Sequence, residues 1–201
     1  MSSAPESADL AALIRGLSAP DPANRERAAE ELFRWGRGLA RAAVAPWLSD
    51  PDFAANLVLD ASQFPETTIG LAVTPQNFER IRAPNGSPRL ANVPPDQDAR
   101  EFELRFGRGV RLDILTTREP PGTGAIARYL QKFGEGIQQV ELLARNVDEA
   151  TEILRSRFGV QPLYPAARPG ADGTRVNFFL APLPEKGKIL IELVELAAPR
   201  R

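Results

Sequence analysis

Glu192 stands in the run Ile189-Leu190-Ile191-Glu192-Leu193-Val194, and Asp113 stands between Leu112 and Ile114. A carboxylate in so apolar a strand is costly unless it is paired, coordinated or turned toward water. Each is therefore a cleft-lining acid or one half of a structural ion pair. Gln139 and Glu141 share one strand face by the two-residue period of an extended chain, so an amide and a further carboxylate join the candidates. Thr68 and Asn177, the latter between Val176 and Phe178, add neutral ligand-binding groups. Arg175 is either a surface arginine, a partner for Glu192 or Asp113, or a contact for an anionic ligand. Glu103 lies in the alternating run from Glu101 to Phe106 and completes the set. Two carboxylates in one apolar cleft acquire separated pKa values, as acid–base chemistry requires. On that reading Glu192 and either Asp113 or Glu103 serve as acid and base.

The absences are as informative. The 201 residues include no histidine and no cysteine. That excludes Ser–His–Asp and Cys–His catalysis, imidazole-bound metals, zinc–thiolate sites and disulfides. A net charge of -1 gives no electrostatic case for nucleic acid or an anionic membrane. With 43% apolar and 25% charged residues the composition is that of an ordinary globular protein. No apolar run approaches a membrane span, and no leader is read in the first residues, so the expected location is cytoplasmic.

These candidates need elements to position them. Residues 1–62 read as a helical N-terminal segment. Leu10, Leu13, Ile14 and Leu17 follow the spacing of an amphipathic helix. Asp21 caps a second helix that opens at Pro22 and runs to about Gly36. A third spans roughly 39–48 and stops between Pro46 and Pro51. Helix, Asp-Pro turn, helix resembles a single HEAT-type unit, without a second copy. It reads as a helical cap or dimerisation element, or as a docking unit for a partner.

From 63 to 201 the period changes. Strands are expected over 67–73, 101–106, 110–115, 137–144, 175–180 and 188–196, with a further strand after Tyr164. Helices are expected over 75–83, 125–133 and 148–158. Gly107-Arg108-Gly109 reads as a hairpin turn, because no helix follows it. Strand, helix and strands recur, giving module one over 66–118 and module two over 135–196. The expected fold is α+β: two βαβββ modules forming one cup-shaped cleft, preceded by a small all-α segment. In such a cup Asp113, Gln139 and Glu192 are expected to face a shared cavity.

The second module resembles methylmalonyl-CoA epimerase, of the vicinal-oxygen-chelate superfamily that includes glyoxalase I. The resemblance lies in Gly134-Glu135-Gly136-Ile137-Gln138-Gln139-Val140, in Gly173-Thr174-Arg175-Val176-Asn177-Phe178, and in the run from Lys186 to Glu195. Module one matches more loosely, through Thr67 to Val73 and Val110 to Leu115. The resemblance implies a glyoxalase-like fold and a divalent cation held by strand residues of both modules, including two histidines. Carried over, the last-strand ligands fall on Asp113 and Glu192, the histidine positions on Thr68 and Gln139, and the additional catalytic carboxylate on Glu103.

Hydroxyl and amide oxygens are weak donors in place of imidazole. They leave no transition-metal site and at most a weakly held Mg²⁺ or Ca²⁺. The family's reaction forms an enolate from an acyl thioester, and losing the metal removes several kcal/mol of transition-state stabilisation. The expected function is therefore small-molecule binding by a metal-free, degenerate member of the superfamily, with no cofactor. The ligand-binding residues are Thr68, Asp113, Gln139, Glu141, Arg175, Asn177 and Glu192. One alternative is an isomerase, epimerase or lyase acting on an acyl thioester or a small oxo or hydroxy acid with carboxylate acid–base residues. Another is a protein-interaction module with a vestigial cup. The expected partner is a small molecule, with a homodimer as an option, and neither nucleic acid nor membrane.

Overall fold

A computed structural model describes residues 7–184 and 187–196. Residues 1–6, read for a leader, and Lys186 of the last matched run lie outside these. The element order is α1 (Ser7–Gly16), α2 (Pro22–Leu48), α3 (Pro51–Asn56), β1 (Thr67–Ala72), α4 (Pro75–Arg82), β2 (Ala99–Phe106), β3 (Val110–Thr117), α5 (Ala125–Phe133), β4 (Gly136–Leu143), α6 (Val147–Phe158), β5 (Arg168–Pro169), β6 (Arg175–Pro182) and β7 (Lys188–Glu195). No helix among the described residues is long and apolar enough to cross a membrane. The chain divides into two compact units: Met1–Arg37 with Thr68–Gln138, and Gly38–Thr67 with Gln139–Arg201.

The expected break at Gly36 does not occur. One helix of 27 residues replaces the second and third helices of the sequence reading. Two glycines cost roughly 1 kcal/mol each in a helix interior. They are carried by an unbroken apolar stripe of Leu32, Ala40, Ala43, Val44 and Trp47, all buried. Gly36 belongs to that stripe: a Cβ there would lie 2.7 Å from Ile69 Cδ1, so only glycine allows this approach. Pro46 falls in the last turn, where one lost backbone hydrogen bond is tolerated. The Asp21 cap holds, its carboxylate accepting from Ala23 N–H at 3.0 Å. A short helix not read from the sequence, α3, follows. Asp50 caps it and Pro51 opens it.

In the first unit the strand order is β2-β3-β1. β2 and β3 form the expected hairpin through Gly107–Gly109, and β3 runs parallel to β1. Ile69, Leu71, Phe102, Leu104, Leu112 and Ile114 line one face and are buried. Phe78 of α4 meets Phe102 edge-on at 4.7 Å, a pair worth about 0.5–1.5 kcal/mol beyond its burial. Between α4 and β2 the segment 83–98 carries two short 3₁₀ helices, and Ala91 N–H donates to Glu101 O at 3.0 Å. Among the described residues no strand forms over 83–98, so the third strand of the module-one pattern is missing there. The α1–α2 turn joins this unit: Asn85 Nδ2 donates to Leu17 O at 2.9 Å, and Arg25 Nε donates to Asn85 Oδ1 at 3.1 Å.

In the second unit the order is β4-β7-β6-β5. β4 is parallel to β7, β7 antiparallel to β6, and β6 antiparallel to the two-residue β5. Ile189, Ile191, Leu193, Phe179 and Ala181 are buried on one face, together with Val147, Ala150, Ile153 and Leu154 of α6. Asn146 caps α6, its side chain accepting from Asp148 and Glu149 N–H. Trp47 of α2 meets Phe53 and Phe179 edge-on at 6.1 and 6.2 Å. Asn56 Nδ2 donates to Glu149 Oε2 at 3.0 Å. Helical residues 7–37 therefore pack in the first unit, and 38–56 in the second.

Candidate functional site

The strand faces opposite the helices carry the chemistry. In the first unit β-alternation places Thr68 and Gly70 of β1 on one face, with Arg111 and Asp113 of β3 and Glu101, Glu103 and Arg105 of β2. Asp113 lies between Gly70 and Glu103, directly paired with each. Opposed carboxylates in register repel. Arg105, two residues along β2, bonds Glu103 at 2.8 Å. Its guanidinium is pushed above its ordinary pKa, first by the hydrogen bond to Glu103 and also by attraction to Asp113. Sequence reasoning missed Arg105, although its spacing from Glu103 puts it on the same face.

The second unit repeats the arrangement with larger polar groups. Gln139 and Glu141 lie on β4, and Glu141 is directly paired with Glu192 of β7. Gln139 and Glu192 are each only 7% exposed. Gln139 Nε2 donates to Glu192 Oε2 at 2.5 Å and to Glu141 Oε1 at 3.2 Å. One amide nitrogen thus spends both hydrogens holding two carboxylates that would otherwise repel. By register, Thr68, Gly70 and Asp113 correspond to Gln139, Glu141 and Glu192.

Two expected residues lie elsewhere. Asn177 is paired with Leu193, on the face that packs against α6. It is fully buried, its Nδ2 donates to Tyr164 O at 3.3 Å, and its Oδ1 accepts from Phe178 N–H at 2.9 Å. Arg175 begins β6 and pairs with Asp148 at 2.5 Å and Glu195 at 3.4 Å, and neither Glu192 nor Asp113 is its partner in these bonds. Phe178, which the sequence reading passed over, is the residue directly opposite Glu192. Its ring meets that of Tyr164 at 5.9 Å, and Arg168 stacks over Tyr164 at 4.5 Å.

The methylmalonyl-CoA epimerase from Mycobacterium tuberculosis is similar in structure, with a TM-score of 0.53 and 29% identity over 72% of this chain and 96% of that one. A variant of the Streptomyces coelicolor methylmalonyl-CoA epimerase in complex with 2-nitronate-propionyl-CoA gives a TM-score of 0.51 and 25% identity over 67% and 98%. A methylmalonyl-CoA epimerase in complex with methylmalonyl-CoA and NH4+ gives 0.51 and 26% over 67% and 95%. The chain has the fold of these epimerases. No family model matches it, and no curated protein sequence does.

An epimerase-like, α+β glyoxalase-type fold accounts for the repeated strand faces. Apart from Arg105 and Arg111, the polar groups of these faces are carboxylates, a threonine hydroxyl and an amide. Among the described residues no group of three or more histidine, cysteine, aspartate or glutamate side chains is placed to hold a metal ion.

Proposed function

We propose that this chain binds a small molecule on the polar strand faces of an epimerase-like fold and does so without a transition metal. The observation that carries the reading is the Gln139 amide. It stands where the resemblance puts an imidazole, and its nitrogen is turned toward Glu192 and Glu141. An N–H aimed at a carboxylate donates, and it is not a metal ligand. The donor set of Thr68, Asp113, Gln139 and Glu192 therefore does not fit the nitrogen-rich coordination of zinc, cobalt or iron. The same groups suit a ligand with hydrogen-bond donors, which the carboxylates accept.

A second reading, an isomerase, epimerase or lyase acting on an acyl thioester or a small oxo or hydroxy acid, draws support from Glu103 opposite Asp113. Two carboxylates so placed can divide the roles of acid and base.

Elemental analysis after dialysis against a chelator tests the metal-free reading, followed by a thermal-shift screen against acyl-CoA thioesters and small hydroxy and keto acids. The expected result is substoichiometric metal and a raised Tm with at least one ligand, diminished in Glu192→Gln. Stoichiometric zinc, cobalt or iron overturns it. Chelator-resistant exchange of the α-proton of an acyl thioester selects the second reading.

A further inference from the structure

The β6–β7 ladder of the second unit presents a graded surface beside the carboxylates. On the face of Glu192, successive residues of β7 are Glu192, Leu190 and Lys188, and their partners on β6 are Phe178, Leu180 and Pro182. Leu190 is also paired with Gln139. Burial falls along this ladder: Glu192 is 7% exposed, Leu190 half-buried, Leu180 45% exposed and Lys188 exposed. Two residues of strand advance about 6.6 Å, so the ammonium end lies roughly 13 Å from the carboxylate end. Tyr164, 37% exposed, extends the apolar strip through its contact with Phe178, and Arg168 lies over its ring. An exposed apolar strip closed by a cation complements a molecule with an apolar chain and one negative charge.

Going beyond the hydrogen-bonding groups of the binding function above, we propose that this strip takes an anionic amphiphile of the medium-chain carboxylate class. Its chain lies along Phe178, Leu180 and Leu190, and its charge meets Lys188. Burying methylenes against this strip supplies affinity in proportion to chain length, and the lysine fixes the direction. Leu180 and Phe178 are then specificity-determining residues, because they set how much chain is removed from water.

The test uses the full chain with butanoate, hexanoate, octanoate and decanoate below their micellar concentrations, and octylammonium as the charge-reversed control. Affinity, by calorimetry, is expected to rise about two- to four-fold per methylene and octylammonium to bind at least ten-fold more weakly than octanoate. Lys188→Glu should weaken octanoate at least ten-fold, and 1 M salt should weaken it in the native chain. Leu180→Asp, at an exposed position, should flatten the chain-length series without lowering Tm. Lys132→Glu, on α5, should leave binding unchanged. A flat series, or octanoate binding indifferent to Lys188→Glu, overturns the proposal. If hydroxy or keto acids still raise Tm in that case, the binding function survives without this ligand class. If the acyl-CoA thioesters fail as well, so that none of these classes binds, both fall.

Discussion

Glu141 faces Glu192 directly across the parallel β4–β7 ladder, and the Gln139 amide donates to both. Like charges in register repel, and a glutamine at 192 removes one of them while its oxygen still accepts from Gln139. Glu192→Gln is expected to change stability by less than about 1 kcal/mol at pH 7 and to weaken ligands that donate hydrogen bonds. Denaturant unfolding beside ligand titration measures both. A loss above about 2 kcal/mol identifies a structural ion pair and removes Glu192 from the functional set.

Gln139→His places an imidazole beside Glu141 and Glu192. One nitrogen and two carboxylates make a set that zinc or cobalt accepts. The variant is expected to take up about one equivalent of Co²⁺ with a visible absorption band, reversible by chelator, while the native chain takes up far less. Equal uptake by both would show that the amide is not what distinguishes this site from a metal centre.

Gly36 and Gly38, on successive half-turns of α2, should respond to alanine with opposite signs. A Cβ at Gly36 would fall 2.7 Å from Ile69 Cδ1 and 2.8 Å from Cγ2, and Ile69 is fully buried and cannot yield. Overpacking of this kind costs about 1–3 kcal/mol, more than the gain in helix propensity. At Gly38 nothing lies within 4 Å, and Gly38→Ala is expected to stabilise by about 0.5–1 kcal/mol. Thermal unfolding of the two variants decides it, and equal shifts would contradict the close approach to β1.

Asp50 caps α3 and also receives Arg157 of α6 at 2.7 Å. Its carboxyl is held below the ordinary range, first by the Phe53 N–H and then by Arg157. A depressed folded-state pKa contributes stability that is present above the unfolded value near 4 and is lost as pH falls through the folded value. Asp50→Asn keeps a capping oxygen and deletes the charge. The variant should be less stable than the native chain at pH 7, and the two should converge below about pH 4. A gap that persists at pH 2 would assign the difference to packing.

Most strands and all the helices of the repeated region were legible, because alternation and capping are local signals. Ala125 to Phe133 is helical to the residue, as expected, and Gly134 closes it. Continuity of α2 was not legible, since glycine reads as a breaker until Ile69 is seen against Gly36. The side of β6 that shares a face with Glu192 was not legible either. Asn177 and Phe178 differ by one position, and a shift of one residue reverses every side chain of a strand. Only the pairing of Phe178 with Glu192 decides it. Arg175 found Asp148 and Glu195 because β6 begins beside the start of α6, a proximity no spacing encodes.

The interleaving of the two units bears on how the chain emerges from a ribosome. The first unit can close once residue 138 is made, but the second waits for strands that come last. Trp47 and Phe53 are synthesised early, and Trp47 rests in the end against both Phe53 and Phe179. Asn56 meets its partner Glu149 only 93 residues later. Trp47 precedes Phe179 by 132 residues, so at about 5–20 residues per second the apolar stripe on the second half of α2 stays uncovered for roughly 7–26 s. In that interval the nascent chain displays a tryptophan and a phenylalanine that a chaperone, or another nascent copy, can reach before the native β-strands do.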